Sequence, residues 1–322
     1  MTRRGGAVTL NAMATGSETL AMGGAVPGLN APAFTLRHAA GFPLPVLVAA
    51  PHAGRAYPAA LTARMRNPAY AALRLEDRHV DGIAAAVAEA TGAALLVAHA
   101  PRAMIDLNRA PEDMDWSMIA GGAPGTARHS LVNRRARSGL GVVPRRVPGL
   151  GEIWKSPMTR AELYARIASV HTPYHAALAQ ALEAIRDRWG AALLIDLHSM
   201  PPLQPRSAAQ PAAEVVVGDR FGASCDQGLI AATFAYLEAQ GRPAAHNRPY
   251  AGGYVLDRHA APVRGIHAMQ LEICRASYLD ARLAEPSVRA NGVARMLAGL
   301  VRALASEVAM LGGAAHLPLA AE

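Results

Sequence analysis

Residues 191–198 read AALLIDLH: six apolar residues and one aspartate running into a histidine. Gly190 precedes the run and Ser199 follows it. A short apolar stretch with such boundaries reads as a strand buried on both faces. Working outward, Pro43–Ala50 (PLPVLVAA) has the same character and ends at Pro51-His52-Ala53-Gly54. Ala93–Ala98 (AALLVA) and Val215–Val217 are further short runs, and His267–Ile273 (HAMQLEI) alternates like a strand. Helical patterns separate them. In Leu75–Ala90, Val80, Ile83, Ala84 and Val87 share one face, and Gly92 supplies a stop. Thr159 and Glu162 have capping-box spacing and open a helix to Trp189, which Pro173 is expected to kink or divide. Helices are also predicted over about 224–240 and 286–311. Strands alternating with helices imply an α/β class: a single three-layer α/β/α domain around a mixed, mostly parallel sheet. Ligands of such sheets bind beyond the carboxyl ends of the strands, where His52 and His198 are placed.

The chain has 322 residues, with 52% hydrophobic and 17% charged, enough for a sizeable core and unlike a disordered or fibrous composition. The domain is expected over 31–315, after a flexible Gly/Ala tail at 1–30 that lacks the continuous apolar segment of a signal peptide. A long loop excursion is expected at about 110–158. Mean hydropathy is +0.13, and no apolar run approaches the roughly 18 residues of a membrane span. The net charge of +8 invites a nucleic-acid reading. However, Lys155 is the single lysine, and the arginine-rich stretch from Arg128 to Arg146 has no interleaved aromatics for base stacking. An anionic small molecule suits arginine equally well; no nucleic-acid or membrane partner is expected. Two cysteines far apart, Cys225 and Cys274, make no disulfide framework and suit a reducing, cytoplasmic setting.

Several residue groups carry possible chemistry. His52 and His198 sit at equivalent strand ends beside small residues, and neutral imidazole is the commonest metal ligand. Asp196, two residues before His198, shares its strand face and could orient that imidazole. Asp77 and Asp81 are four apart at a predicted helix start. Either could complete a His/carboxylate/His site; otherwise both simply favour the helix dipole. Arg102, Asn108 and Arg109 form a candidate anion clamp. Glu272, on a mostly apolar strand, is a candidate general base.

Taken together, the segments PHAGRAYP (51–58), EDRHVDGI (76–83), RAMIDLNRAPEDMD (102–115), LLIDLHSMP (193–201), VVVGDRFGASCD (215–226) and NRPYAGGYVLDRHAAPVRGIHAMQLEI (247–273) resemble the N-formylglutamate amidohydrolase family. That family is similar, more distantly, to zinc carboxypeptidases and aspartoacylases, which implies a zinc-peptidase-like fold. By this resemblance one zinc is held by His52, Asp77 and His198. Asn108 and Arg109 hold the substrate carboxylate, Arg102 polarises the scissile carbonyl, and Glu272 is the acid/base. The carboxypeptidase-like HxxE pattern would place Glu at 55, where this chain has Arg55. The acidic ligand therefore comes from elsewhere, Asp77 being taken and Asp81 left open. Arg55 is then expected to face the substrate's second carboxylate.

The activity this resemblance implies is zinc-dependent hydrolysis of N-formyl-L-glutamate to formate and glutamate, in histidine degradation. Alternatives are a related zinc amidase for another N-acylated acidic amino acid, or a non-catalytic binding protein on the same scaffold. Oligomeric state is not legible in the sequence.

Overall fold

The computed structural model describes residues 11–15, 18–123, 136, 138–205 and 211–313. Its main sheet has nine strands. In chain order they are β1 (Asn11–Thr15), β2 (Glu18–Gly23), β3 (Phe34–Ala39), β4 (Val46–Ala50), β5 (Ala94–Ala98), β8 (Ala192–Met200), β9 (Val215–Gly218), β10 (Ala244–His246) and β11 (Ile266–Cys274). A separate hairpin pairs β6 (Arg146–Val147) with β7 (Gly151–Glu152). The order across the main sheet is β1-β2-β3-β5-β4-β8-β11-β9-β10. Its centre, β5-β4-β8-β11, is parallel, whereas β1, β2 and β3 add antiparallel on one side and β9 pairs antiparallel with β11.

The central strands are apolar throughout because both faces are covered. All nine residues of β8 and all nine of β11 are buried. Side chains alternate between the two faces. On β8, Ala192 and Leu194 enter one core, and Leu193, Ile195 and Leu197 enter the other. The first core is built with α1 (Ala59–Ala63), α2 (Pro68–Leu75), α4 (Arg160–Arg166) and α5 (Thr172–Trp189). The second lies under α3 (Val80–Thr91), α6 (Gln227–Ala239) and α7 (Ala290–Leu311). This is the mixed α/β sheet with helices on both faces that the strand–helix alternation suggests.

Three expectations need correction. The tail at 1–30 is not loose from residue 18 onward. β2 pairs along its length with β3, and the Ala25 N–H donates to the Ser169 carbonyl at 2.9 Å. That carbonyl lies four residues before Pro173, whose missing N–H and bulky ring leave it without an ordinary helical partner. A π-turn at Ile167–His171 relieves the clash and divides the helix between α4 and α5. Residues 1–10 lie outside the described residues. The excursion at 110–158 is mostly loop where it is described, but it is packed and not loose: Met114, Met118, Val142, Val143 and Ile153 are buried in the first core. Of its arginines, Arg145 pairs with Asp115 and Glu152, Arg146 also reaches Glu152, and Arg128, Arg134, Arg135 and Arg137 lie outside the described residues.

The third correction concerns Leu75–Ala90, which is not one helix. α2 ends at Leu75, Glu76 is extended (ψ 143°), and His79 is left-handed (φ 59°) before α3 begins. A non-glycine residue rarely adopts that conformation unless tertiary contacts hold it. Here the Asp77 N–H donates to the His52 carbonyl at 2.9 Å, Arg275 donates to the Glu76 carbonyl at 2.5 Å, and the Tyr278 hydroxyl donates to the Arg78 carbonyl at 2.8 Å. These contacts override local helix propensity and turn Asp77 inward.

Candidate active site

Beyond Ala192 and Leu194, the next residues on that face of β8 are Asp196 and His198. On the neighbouring strand β11 the equivalent positions are Gln270 and Glu272, in register with them. His52 follows the end of β4, the other parallel neighbour of β8. One sheet face thus passes from apolar to polar at its carboxyl end. The close approach of the loop after β4 requires a glycine at position 54, where a Cβ would overlap the Ala100 carbonyl.

His52, Asp77 and His198 converge there. One donor atom from each lies within 4.8 Å of the others, and all three residues are buried. Asp77 is the acidic member, whereas Asp81 is turned away. His198 meets Asp77 through Nδ1 at 2.9 Å and Asp196 through Nε2 at 2.9 Å. His52 approaches Asp77 through Nδ1 at 3.6 Å and bonds Asp106 through Nε2 at 2.7 Å. Each imidazole therefore carries a carboxylate on its far nitrogen, which favours a proton on Nε2 and aims the Nδ1 lone pair at Asp77. A cation placed among them would let both Nδ1 atoms act as lone-pair donors beside the Asp77 carboxylate. Two imidazole nitrogens and one carboxylate oxygen, each imidazole oriented by an outer carboxylate, are a donor set that fits a divalent zinc-type metal.

Taken without a metal, the same side chains share protons in its place. Burial alone would raise the Asp77 carboxyl, but hydrogen bonds and charge from His198 and His52 outweigh it and hold it well below the ordinary carboxylate range. Burial alone would lower His198, but Asp196 and Asp77 raise it well above an ordinary histidine. Asp106 is likewise held low against its own burial, chiefly by Arg102 and then His52. Glu272 behaves differently. Burial pushes its carboxyl up to about 7 despite the lowering influence of His198, and its hydrogen bond is the Gln270 Nε2 donation at 2.9 Å. A carboxyl poised near neutral pH beside a cation site can both take and return a proton.

His52, Asp77, His198 and Glu272 line a cavity of about 300 Å³. The structure brings Arg102, Asn108 and Arg109 to its wall with His52, Asp77, His198 and Glu272. Their side chains are partly committed. Arg102 donates to Asp106 through Nε at 2.9 Å. Asn108 bridges the Val255 N–H and Gln270 Oε1, and Arg109 donates to the Leu140 and Asn108 carbonyls. Arg55 does not line this cavity, which corrects its expected substrate role. It forms a two-point ion pair with Asp81 at 2.6 and 3.0 Å beside a separate surface pocket. The reason is geometric: Gly54 turns the chain outward after His52, and Asp81 on α3 captures the guanidinium.

Sequence reasoning assigned no part to Asp106, Tyr250 or Arg275. Asp106 lies four residues after Arg102, a spacing that could have signalled the pair. Tyr250 lies in the NRPYAGGY segment and lines the cavity. Arg275 donates to Ser199 Oγ and to the Leu73 and Glu76 carbonyls, tying β11 to the α2–α3 connection; only the folded chain reveals that role.

A parallel-centred α/β sheet with a His–Asp–His cluster and a buried glutamate at the carboxyl end of its central strands is suited to hydrolysis, and the comparisons give the class: a hydrolase acting on an amide bond. More narrowly, the chain belongs to the N-formylglutamate amidohydrolase family, whose model matches residues 44–279. It is 30% identical over 238 residues to an N-formylglutamate deformylase of Pseudomonas aeruginosa, covering 74% of this chain and 83% of that protein. It is 29% identical to an N-formylglutamate deformylase of Pseudomonas putida, covering 74% and 82% respectively. A crystal structure of N-formylglutamate amidohydrolase from Ralstonia eutropha JMP134 superposes with a TM-score of 0.75 at 32% identity, covering 85% of this chain and 98% of that one.

Proposed function

We propose that the chain is a zinc-dependent deformylase that hydrolyses N-formyl-L-glutamate to formate and L-glutamate, serving histidine degradation in the cytoplasm. The observation that carries this reading is the buried His52–Asp77–His198 cluster sharing one cavity with Glu272. Family membership and the names of the relatives support the substrate.

In this reading His52 and His198 through Nδ1, and Asp77 through its carboxylate, hold the metal. Zinc bound there supplies Lewis acidity, polarising an amide carbonyl and making water more acidic. Asp106 and Asp196 keep each histidine in the tautomer that binds. Glu272 takes a proton from the attacking water as the oxygen bonds to the formyl carbon. Arg102 offers positive charge to the developing oxyanion. Glu272 then delivers the proton to the amide nitrogen as the C–N bond breaks. Asn108 and Arg109 fix the substrate carboxylate so that attack is effectively intramolecular.

The test is Glu272→Gln. The amide keeps the shape and cannot accept the proton, so kcat should fall by about 10²–10⁴-fold while bound metal stays at one ion per chain. Wild-type turnover by the variant would remove Glu272 from its role. Wild-type protein that hydrolyses N-acetylglutamate or N-formylaspartate better than N-formylglutamate would refute the substrate.

A further inference from the structure

Within that deformylase reading, a second carboxylate on the substrate needs a partner that Arg55 does not provide. Four arginines line the cavity: Arg74, Arg102, Arg109 and Arg275. Three already have a task. Arg102 is turned onto Asp106 and Arg275 onto Ser199 and two backbone carbonyls, and Arg109, anchored on two backbone carbonyls, is the one the proposed mechanism gives to the α-carboxylate. Arg74 differs. Its Nε donates to the Tyr70 hydroxyl at 3.2 Å, and among the described residues its two terminal nitrogens have no hydrogen-bond partner. They form the edge of the guanidinium that matches a carboxylate with two parallel bonds.

Arg74 is also held in place. Its guanidinium lies over the Tyr70 ring, 5.4 Å from the centroid. Tyr70 is half-buried and donates its hydroxyl proton to the Pro148 carbonyl at 3.0 Å. Pro148 and Val147 belong to the β6–β7 hairpin and line the same cavity. A side chain set across a ring and fixed at Nε loses less freedom on binding than a loose surface arginine. The metal cluster and Glu272 are buried and form the floor, whereas Arg74 is exposed and stands at the mouth. An N-acyl glutamate with its amide on the floor places its α-carboxylate beside the scissile nitrogen, where Asn108 and Arg109 lie. Its side-chain carboxylate extends farther out.

We propose that Arg74, seated on Tyr70 at the cavity mouth, is a specificity-determining residue that binds the side-chain carboxylate of the substrate. It selects acidic over neutral N-acyl amino acids.

The experiment compares kcat/KM for N-formyl-L-glutamate, N-formyl-L-glutamine and the α-amide of N-formyl-L-glutamate in wild type, Arg74→Gln and Arg74→Lys. One two-point contact between charged groups is worth about 10–100-fold in discrimination. Wild type should disfavour N-formylglutamine by about that factor. Arg74→Gln should erase most of this preference, chiefly through KM, while still rejecting the α-amide, and Arg74→Lys should fall between them. An unchanged preference in Arg74→Gln overturns the assignment, as does lost discrimination against the α-amide alone. Wild type that hydrolyses none of the three refutes the deformylase reading, and the role of Arg74 falls with it. Activity in wild type with unaltered selectivity in the variants refutes Arg74 alone.

Discussion

Asp106 offers the sharpest test of how this site is held. Its carboxylate is 1% exposed and receives three groups: His52 Nε2 at 2.7 Å, the Asn108 N–H at 2.8 Å and Arg102 Nε at 2.9 Å. Asp106→Asn preserves shape but converts one oxygen into a donor. If the amide nitrogen faces Arg102, two donors oppose each other and the guanidinium loses its counter-charge. If it faces His52, the imidazole must move its proton to Nδ1, the atom aimed at Asp77. Removing one member of a buried pair costs about 3–5 kcal/mol. Arg102 keeps some solvent contact, its side chain being 19% exposed, and one acceptor is retained; both favour the lower end, so a loss of about 3 kcal/mol is expected for the metal-free protein. Metal affinity should fall by about 10–100-fold, the usual effect of removing a carboxylate behind a ligating histidine. Urea unfolding at pH 7 reads the first quantity, and competition with a chelator of known affinity reads the second. A variant within about 1 kcal/mol of wild-type stability that also keeps wild-type metal affinity would refute the reasoning, because neither pairing would then be doing what its geometry implies.

Three further outcomes are expected. Arg55→Gln removes a surface ion pair outside the cavity; stability should change by less than about 1 kcal/mol and kcat/KM for N-formylglutamate by less than about threefold, as measured by urea unfolding and steady-state kinetics. Gly253→Ala places a Cβ 2.6 Å from Asn108 Oδ1 and should displace that amide, lowering kcat/KM by about tenfold or more with metal content preserved. His259 is lowered to about 3 by burial, then by Arg258 and His171. Its unfolded pKa is near 6.5, so the unfolded chain binds more protons between these values and stability falls as pH drops through that window, by about 1.4 kcal/mol per pH unit at most. His259→Gln keeps a donor for His175 and should flatten this slope in urea titrations between pH 6.5 and 4; an unaltered slope would show that His259 titrates normally.

The sheet was legible because a buried strand announces itself locally. Apolar runs bounded by Gly or Pro mark β4, β5, β8, β9 and β11, and the period-2 rule places Asp196 beside His198 and Gln270 beside Glu272. The sequence also singled out His52, His198, Glu272, Arg102, Asn108 and Arg109, and all six line one cavity. Polar residues at the ends of apolar strands share a sheet end whatever the details of packing.

What the local pattern could not decide was which of several equivalent residues turns inward. Asp77 and Asp81 have the same chemistry and helical spacing. Asp77 leaves the helix because His52, Arg275 and Tyr278 hold residues 76–78 from elements up to 200 positions away. Arg55 adjoins a candidate ligand in sequence, yet Asp81 draws it outside. Residues 18–25 read as tail because their partners are β3 and a carbonyl freed by Pro173. Side-chain type and periodicity are properties of a segment and can be read from the chain itself. The partner that satisfies a charge or an orphaned carbonyl belongs to the folded whole, and only the tertiary structure supplies it.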